Sequence, residues 1–147
     1  MDGKTISELR VGEYAEKTDT ITYENAERYA VVTGDYNPIH FDTLAARQSR
    51  YQKPIAHGMI LAGFISGVIG TSIPGFGCIY ETQSLSFRRP VFYGDVIRTR
   101  VTVAETTPER NRVTLRTECF NQSQELVLSG TAVVLPRRSE QPCSSST

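Results

Sequence analysis

Gly58-Met59-Ile60-Leu61-Ala62-Gly63-Phe64-Ile65-Ser66-Gly67-Val68-Ile69-Gly70 carries no charge, and its apolar residues fall on every side of a helix instead of along one stripe. Thirteen positions fall short of the roughly 20 a membrane helix needs, so the segment reads as a core helix enclosed by protein. Beyond the turn at Ile73-Pro74-Gly75-Phe76-Gly77 the hydrophobic period changes from helical to two. In 96–103 Ile97, Thr99, Val101 and Val103 share one face while Arg98, Arg100 and Thr102 share the other. The same alternation over 112–120 turns Val113, Leu115 and Cys119 inward. Strands are expected at about 78–88, 95–105, 111–121 and 125–135 as an antiparallel meander, with a weaker one near 13–20. An apolar helix beside such a run implies an α+β domain whose curled sheet wraps the helix and covers every side of it.

Upstream, Thr22 can cap a helix from Tyr23 to about Thr33, with Glu24 in its first turn and Gly34 where a left-handed residue is wanted. A short helix is expected over 43–48. With 147 residues the chain fits one domain, taken as 1–136, and the polar stretch 137–147 is expected to be a disordered tail. Lys+Arg 16 against Asp+Glu 16 leaves no net charge, which favours neither nucleic acid nor a membrane surface as partner. Cys78, Cys119 and Cys143 are odd in number and lack metal-ligand spacing, so no disulfide framework or metal site is expected. Met1 to Arg10 has no apolar region behind a basic flank, so no secretion signal is read there. The cytoplasm or an organelle matrix is the expected location.

The chemistry concentrates in Gly34-Asp35-Tyr36-Asn37-Pro38-Ile39-His40 and Ala56-His57-Gly58-Met59, which hold both histidines of the chain. Asn-Pro takes the backbone out of helix, so Asp35 and His40 can converge from either side of a tight bend. Asp35 and Asn37 beside a proline also suit a plain Asx-turn. Gly58 opens a helix, so its N–H has no partner within that helix and sits at the positive end of the dipole.

Taken together, Tyr29 to His40, Ala56-His57-Gly58-Met59, Ile79 to Phe87 and Pro90-Val91-Phe92-Tyr93-Gly94-Asp95 resemble the MaoC-like (R)-specific enoyl-CoA hydratases, in order from about residue 10 to Pro136. The resemblance implies a hotdog fold and a homodimer with its acyl-thioester tunnel at or near the dimer interface. It also implies reversible hydration of a trans-2-enoyl thioester to the (R)-3-hydroxyacyl form, with no metal or redox cofactor. Carried over by position, the catalytic pair is Asp35 and His40, with Asn37 and Gly58 orienting substrate and binding the oxyanion. Where several short-chain members have a serine, this chain has Gly63, which implies a roomier acyl pocket.

Hydration needs a base for water, an acid for C2 and a donor for the carbonyl oxygen where charge develops. Asp35 and His40 would hold one water between them, and Gly58 N–H would meet the oxygen. His57 reads as a cap or brace of the Gly58 helix, outside the chemistry. Arg88 and Arg89 are candidates for CoA phosphates, with solvated charge the plainer reading. The substrate implied by the resemblance is an acyl-CoA or acyl-carrier-protein thioester, a choice the residues leave open. A thioesterase would want a carboxylate on the central helix, and 58–70 has none. The rival reading is a non-catalytic acyl-thioester-binding module.

Overall fold

The structure, a computed structural model, describes residues 2–140. Strand β1 (Tyr14–Thr20) leads into helix α1 (Tyr23–Thr33). Thr22 Oγ accepts from Asn25 N at 3.2 Å and Asn25 Oδ1 accepts from Thr22 N at 2.8 Å, which closes a reciprocal cap. Gly34 ends α1 with φ 77°, a conformation costly for any side chain. A 3-10 turn (Pro38–His40) and helix α2 (Leu44–Gln48, capped by Thr43) bring the chain to helix α3 (Gly58–Thr71). Strands β2 (Ile79–Gln83), β3 (Ser86–Phe87), β4 (Val96–Thr107), β5 (Arg112–Phe120) and β6 (Leu126–Leu135) follow.

All strand pairs are antiparallel, in the order β1-β4-β5-β6-β2, with β3 also on β6. The meander expected from the sequence is β4 to β6, and β1 and β2 arrive at its edges from earlier in the chain. Register shifts at Val103/Glu105 in β4 and at Leu126/Leu128 in β6, opposite Phe120 and Cys119, bend the sheet around α3. The predicted inner face is buried as expected: Ile97, Val101, Val113 and Leu115 are sealed against Leu61, Ile65, Val68 and Ile69 of α3. Burying each such side chain stabilises the fold by about 1.5–3 kcal/mol. On the outer face Glu16 accepts from Arg98 and Arg100 at 2.8 and 2.7 Å.

The α+β class and the curled antiparallel sheet packed on an apolar helix are as expected, and three details need revision. The sheet does not close, so it covers one side of α3 and leaves Met59, Gly63, Ser66 and Gly67 exposed, Met59 at 49%. The strand expected at 78–88 is interrupted at Ser84-Leu85. There Ser84 Oγ accepts from Thr131 N at 3.0 Å, taking the bond a strand carbonyl would have accepted. Arg137, read as the start of the tail, bridges Thr5 and donates from Nε to Gly3 O. Tail residues 141–147, with Cys143, lie outside the described residues. Cys78 and Cys119 are free thiols, and burial pushes Cys119 up to about 11. No helix among the described residues is long and apolar enough to cross a membrane.

Candidate active site

The bend after α1 is built from local bonds. Asp35 Oδ1 accepts from Asn37 N and Asn37 Oδ1 accepts from Ile39 N, both at 3.2 Å, while Pro38 pre-sets the first residue of the 3-10 turn. The Asx-turn geometry and the convergence of Asp35 with His40 are thus the same structure. Asn37 spends its carbonyl on capping this turn. One side-chain ligand atom from each of Asp35, His40 and His57 lies within 4.8 Å of the others.

Two carbonyls fix the imidazoles. Ile55 O is 2.9 Å from His40 Nδ1 and Asp35 O is 3.0 Å from His57 Nε2. A carbonyl only accepts, so these nitrogens carry the protons and, in the neutral rings, His40 Nε2 is left as an acceptor. The rings stack with centroids 3.8 Å apart and planes 29° off parallel. Nitrogen lone pairs lie in the ring plane, so stacked rings send theirs side by side instead of at one point. With two of the four ring nitrogens already on carbonyls, the cluster does not fit a metal centre. Burial, and then the stacked His57, hold the proton affinity of His40 down, against upward pulls from the Ile55 carbonyl and Asp35, and the net direction is below an ordinary histidine.

His57 is 2% exposed and precedes α3, yet its side chain makes no capping bond. It braces: its ring spans Asp35, His40 and, at 4.7 Å, Tyr29 of α1. The Asp35 side chain is 44% exposed, and its Oδ2 stands 3.9 Å from His57 Nε2.

A cavity of about 370 Å³ opens beside the cluster, lined by His40, Tyr51, Ile55, Ala56, Gly58, Met59, Leu61, Phe87, Arg88, Arg89, Pro90 and Val91. It is apolar in its body, with the His40 ring and the start of α3 at one place and two arginines at another. Arg88 Nε donates to Ser129 Oγ at 3.1 Å and Arg89 pairs with Glu125 at 3.0 Å. A Cβ built on Gly58 would stand 2.7 Å from two carbons of the Phe87 ring, so only glycine lets helix and ring approach this closely. Asp35, Asn37 and Gly63 are not among the lining residues. Gly63 faces outward from α3 with nothing within 4 Å of its Cβ position.

Sequence reasoning passed over Phe87, Tyr51 and Tyr93. Tyr93 lies in a stretch that carried the family resemblance without a role being given to the tyrosine, yet its hydroxyl donates to His40 O at 2.6 Å, and burial pushes its pKa up to about 12. Its signals were its place in that stretch and a large aromatic beside a Gly-Asp turn.

The family model described as MaoC like domain matches residues 10–122. A 3-hydroxybutyryl-CoA dehydratase of Methylorubrum extorquens is 40% identical over 136 residues, 92% of this chain and 86% of that protein. An (R)-specific enoyl-CoA hydratase of Aeromonas caviae is 38% identical over 126 residues, 86% of this chain and 94% of that protein. Among solved structures, the unliganded R-hydratase PhaJ1 of Pseudomonas aeruginosa superposes with a TM-score of 0.86 at 36% identity, covering 99% of this chain and 97% of that one.

Proposed function

The chain belongs to the MaoC like domain family, and from that premise we infer that it is a hydro-lyase interconverting trans-2-enoyl-CoA and (R)-3-hydroxyacyl-CoA. The observation that carries the reading is a tautomer-fixed imidazole and the amide end of an apolar helix lining one cavity, with a carboxylate oxygen within 4.8 Å of an atom of that imidazole. Three relatives named for CoA are 37–40% identical over 86–92% of this chain and a fourth is 33% identical over 57% of it, while those named for acyl-carrier protein are 34% and 29% identical. CoA is therefore the carrier we assign.

In the mechanism we assign to these residues, a water donates one O–H to Asp35 and the other to His40 Nε2, which leaves its lone pair facing C3. Asp35 takes a proton as the C3–O bond forms, the double-bond electrons move toward the thioester carbonyl, and a proton returns to C2 from this pair. Gly58 N–H meets the developing oxyanion, a donor worth on the order of 10²–10³ in rate. Asn37 acts by shaping the bend that carries both side chains. Arg88 and Arg89 lie along the cavity where the phosphates of CoA would pass. Gly63 gains contact with the acyl chain only if that chain runs over the open face of α3.

The chain works as a homodimer, joined through the β2 edge and the open face of α3. In support, β2 exposes Ile79 at 64% beside Tyr80, whereas the other edge, β1, carries Glu16, Lys17 and Asp19. Free Cys78 and Cys119 suit a reducing compartment. Size-exclusion chromatography with light scattering should give twice the chain mass, and a monomer at micromolar concentration overturns the dimer. The activity is tested by the loss of enoyl-thioester absorbance with crotonyl-CoA, with chiral analysis of the product. Asp35→Asn and His40→Ala should each lose at least a hundredfold in kcat, and wild-type turnover in both variants removes the assigned pair.

A further inference from the structure

We propose that Tyr93 is a positioning residue for the hydration, its hydroxyl holding the His40 main chain so that the imidazole stays aimed at the reacting water. The inference rests on the hydratase reading above and adds a group that the bend and the helix start do not contain.

His40 is tethered at two points. Its ring gives Nδ1–H to Ile55 O at 2.9 Å, and its main-chain carbonyl accepts the Tyr93 hydroxyl at 2.6 Å. The same hydroxyl oxygen stands 3.3 Å from Ile55 O. Both carbonyls only accept and the hydroxyl has one proton, so the shorter contact takes the bond and Ile55 O stays available to the imidazole. Tyr93 thus ties together the turn that bears His40 and the segment that receives its ring. It does so from a third element, the loop before β4.

The tyrosine is itself held. Its ring meets Tyr23 edge-on with centroids 5.3 Å apart, and Tyr23 in turn meets Phe41, the residue after His40, at 6.0 Å. Tyr93 lines no part of the cavity, so its effect reaches substrate through the His40 its hydroxyl holds. This separates two readouts: losing the hydroxyl should change the rate of the chemical step and leave substrate binding alone.

The test is Tyr93→Phe, which keeps the ring against Tyr23 and removes one oxygen, assayed on crotonyl-CoA in the wild-type and His40→Ala backgrounds. In the wild-type background kcat should fall about tenfold, the scale of one neutral hydrogen bond expressed as a rate, with KM within about twofold. In the His40→Ala background the same change should move the residual rate by less than about twofold, because the group it positions is gone. A kcat within twofold of wild type overturns the proposal, as does an equal fold-loss in both backgrounds, which marks a general packing role. Failure of Tyr93→Phe to fold, judged by circular dichroism, also overturns it. An inactive wild type overturns the hydratase reading itself, an outcome distinct from these three.

Discussion

Replacing Gly58 with alanine tests where the enzyme binds the thioester oxygen. A Cβ at this position stands 2.7 Å from Phe87 Cδ1 and Cε1, against the 3.5–4.0 Å of an ordinary carbon contact, so the ring must retreat by about 1 Å. Phe87 is 54% exposed and belongs to a two-residue strand, so the ring can swing without unpicking the sheet. The stability cost should be about 1–2 kcal/mol, which for a domain of this size lowers Tm by roughly 3–6 °C. The activity cost should be much larger. The new methyl group sits beside the N–H assigned to the oxyanion and the displaced ring crosses the cavity, so kcat on crotonyl-CoA should fall on the order of 10²–10³. Thermal melting and stopped-flow turnover on the same sample separate the two effects. A variant within about threefold of wild-type kcat would refute the reasoning, since the start of α3 then has no part in the reaction.

Acidification should act through His40. Its folded proton affinity lies below that of an unfolded histidine, about 6.5, so the neutral ring persists to lower pH and the acid limb of kcat should fall below that value. By the same sign the stability contributed by a neutral His40 is present above about pH 6.5 and is lost as pH drops through the folded value. An acid limb above 7 would contradict this. Gly130→Ala should cost about 3 kcal/mol or more in urea unfolding, because its Cβ would overlap the Ser84 carbonyl, and a change under 1 kcal/mol would show that this crossing can relax. Arg88→Ala and Arg89→Ala should each raise KM about 3–10-fold for crotonyl-CoA and leave the crotonyl-pantetheine thioester unaffected. Equal effects on both substrates would place the phosphates elsewhere.

Local structure was legible because its causes are local. The Thr22 cap, the Gly34 stop and the Asn37-Pro38 bend are each decided by neighbours two to four residues away, and each formed where its residue types required. Period-two patterning also placed Ile97, Val101, Val113 and Leu115 inward. What escaped depends on surfaces meeting across the chain. The apolar character of α3 gave no sign of which face the sheet would leave open, since a face awaiting a partner looks the same in sequence as a face in the core. The Ser84 interruption is tied to Thr131, 47 positions away, and the hold of Tyr93 on His40 spans 53. The bend to which we assign the chemistry was readable from its own residues, whereas its supports were not.

The unequal character of the two sheet edges sets how far association can go. In the proposed dimer, joining two copies along β2 consumes the rim that bears Ile79 and Tyr80, and what then faces outward at both extremes is β1, where Glu16, Lys17 and Asp19 follow Tyr14. Under that pairing growth would end after a single step, and a protein built from open β-structure would be spared from polymerising into fibres.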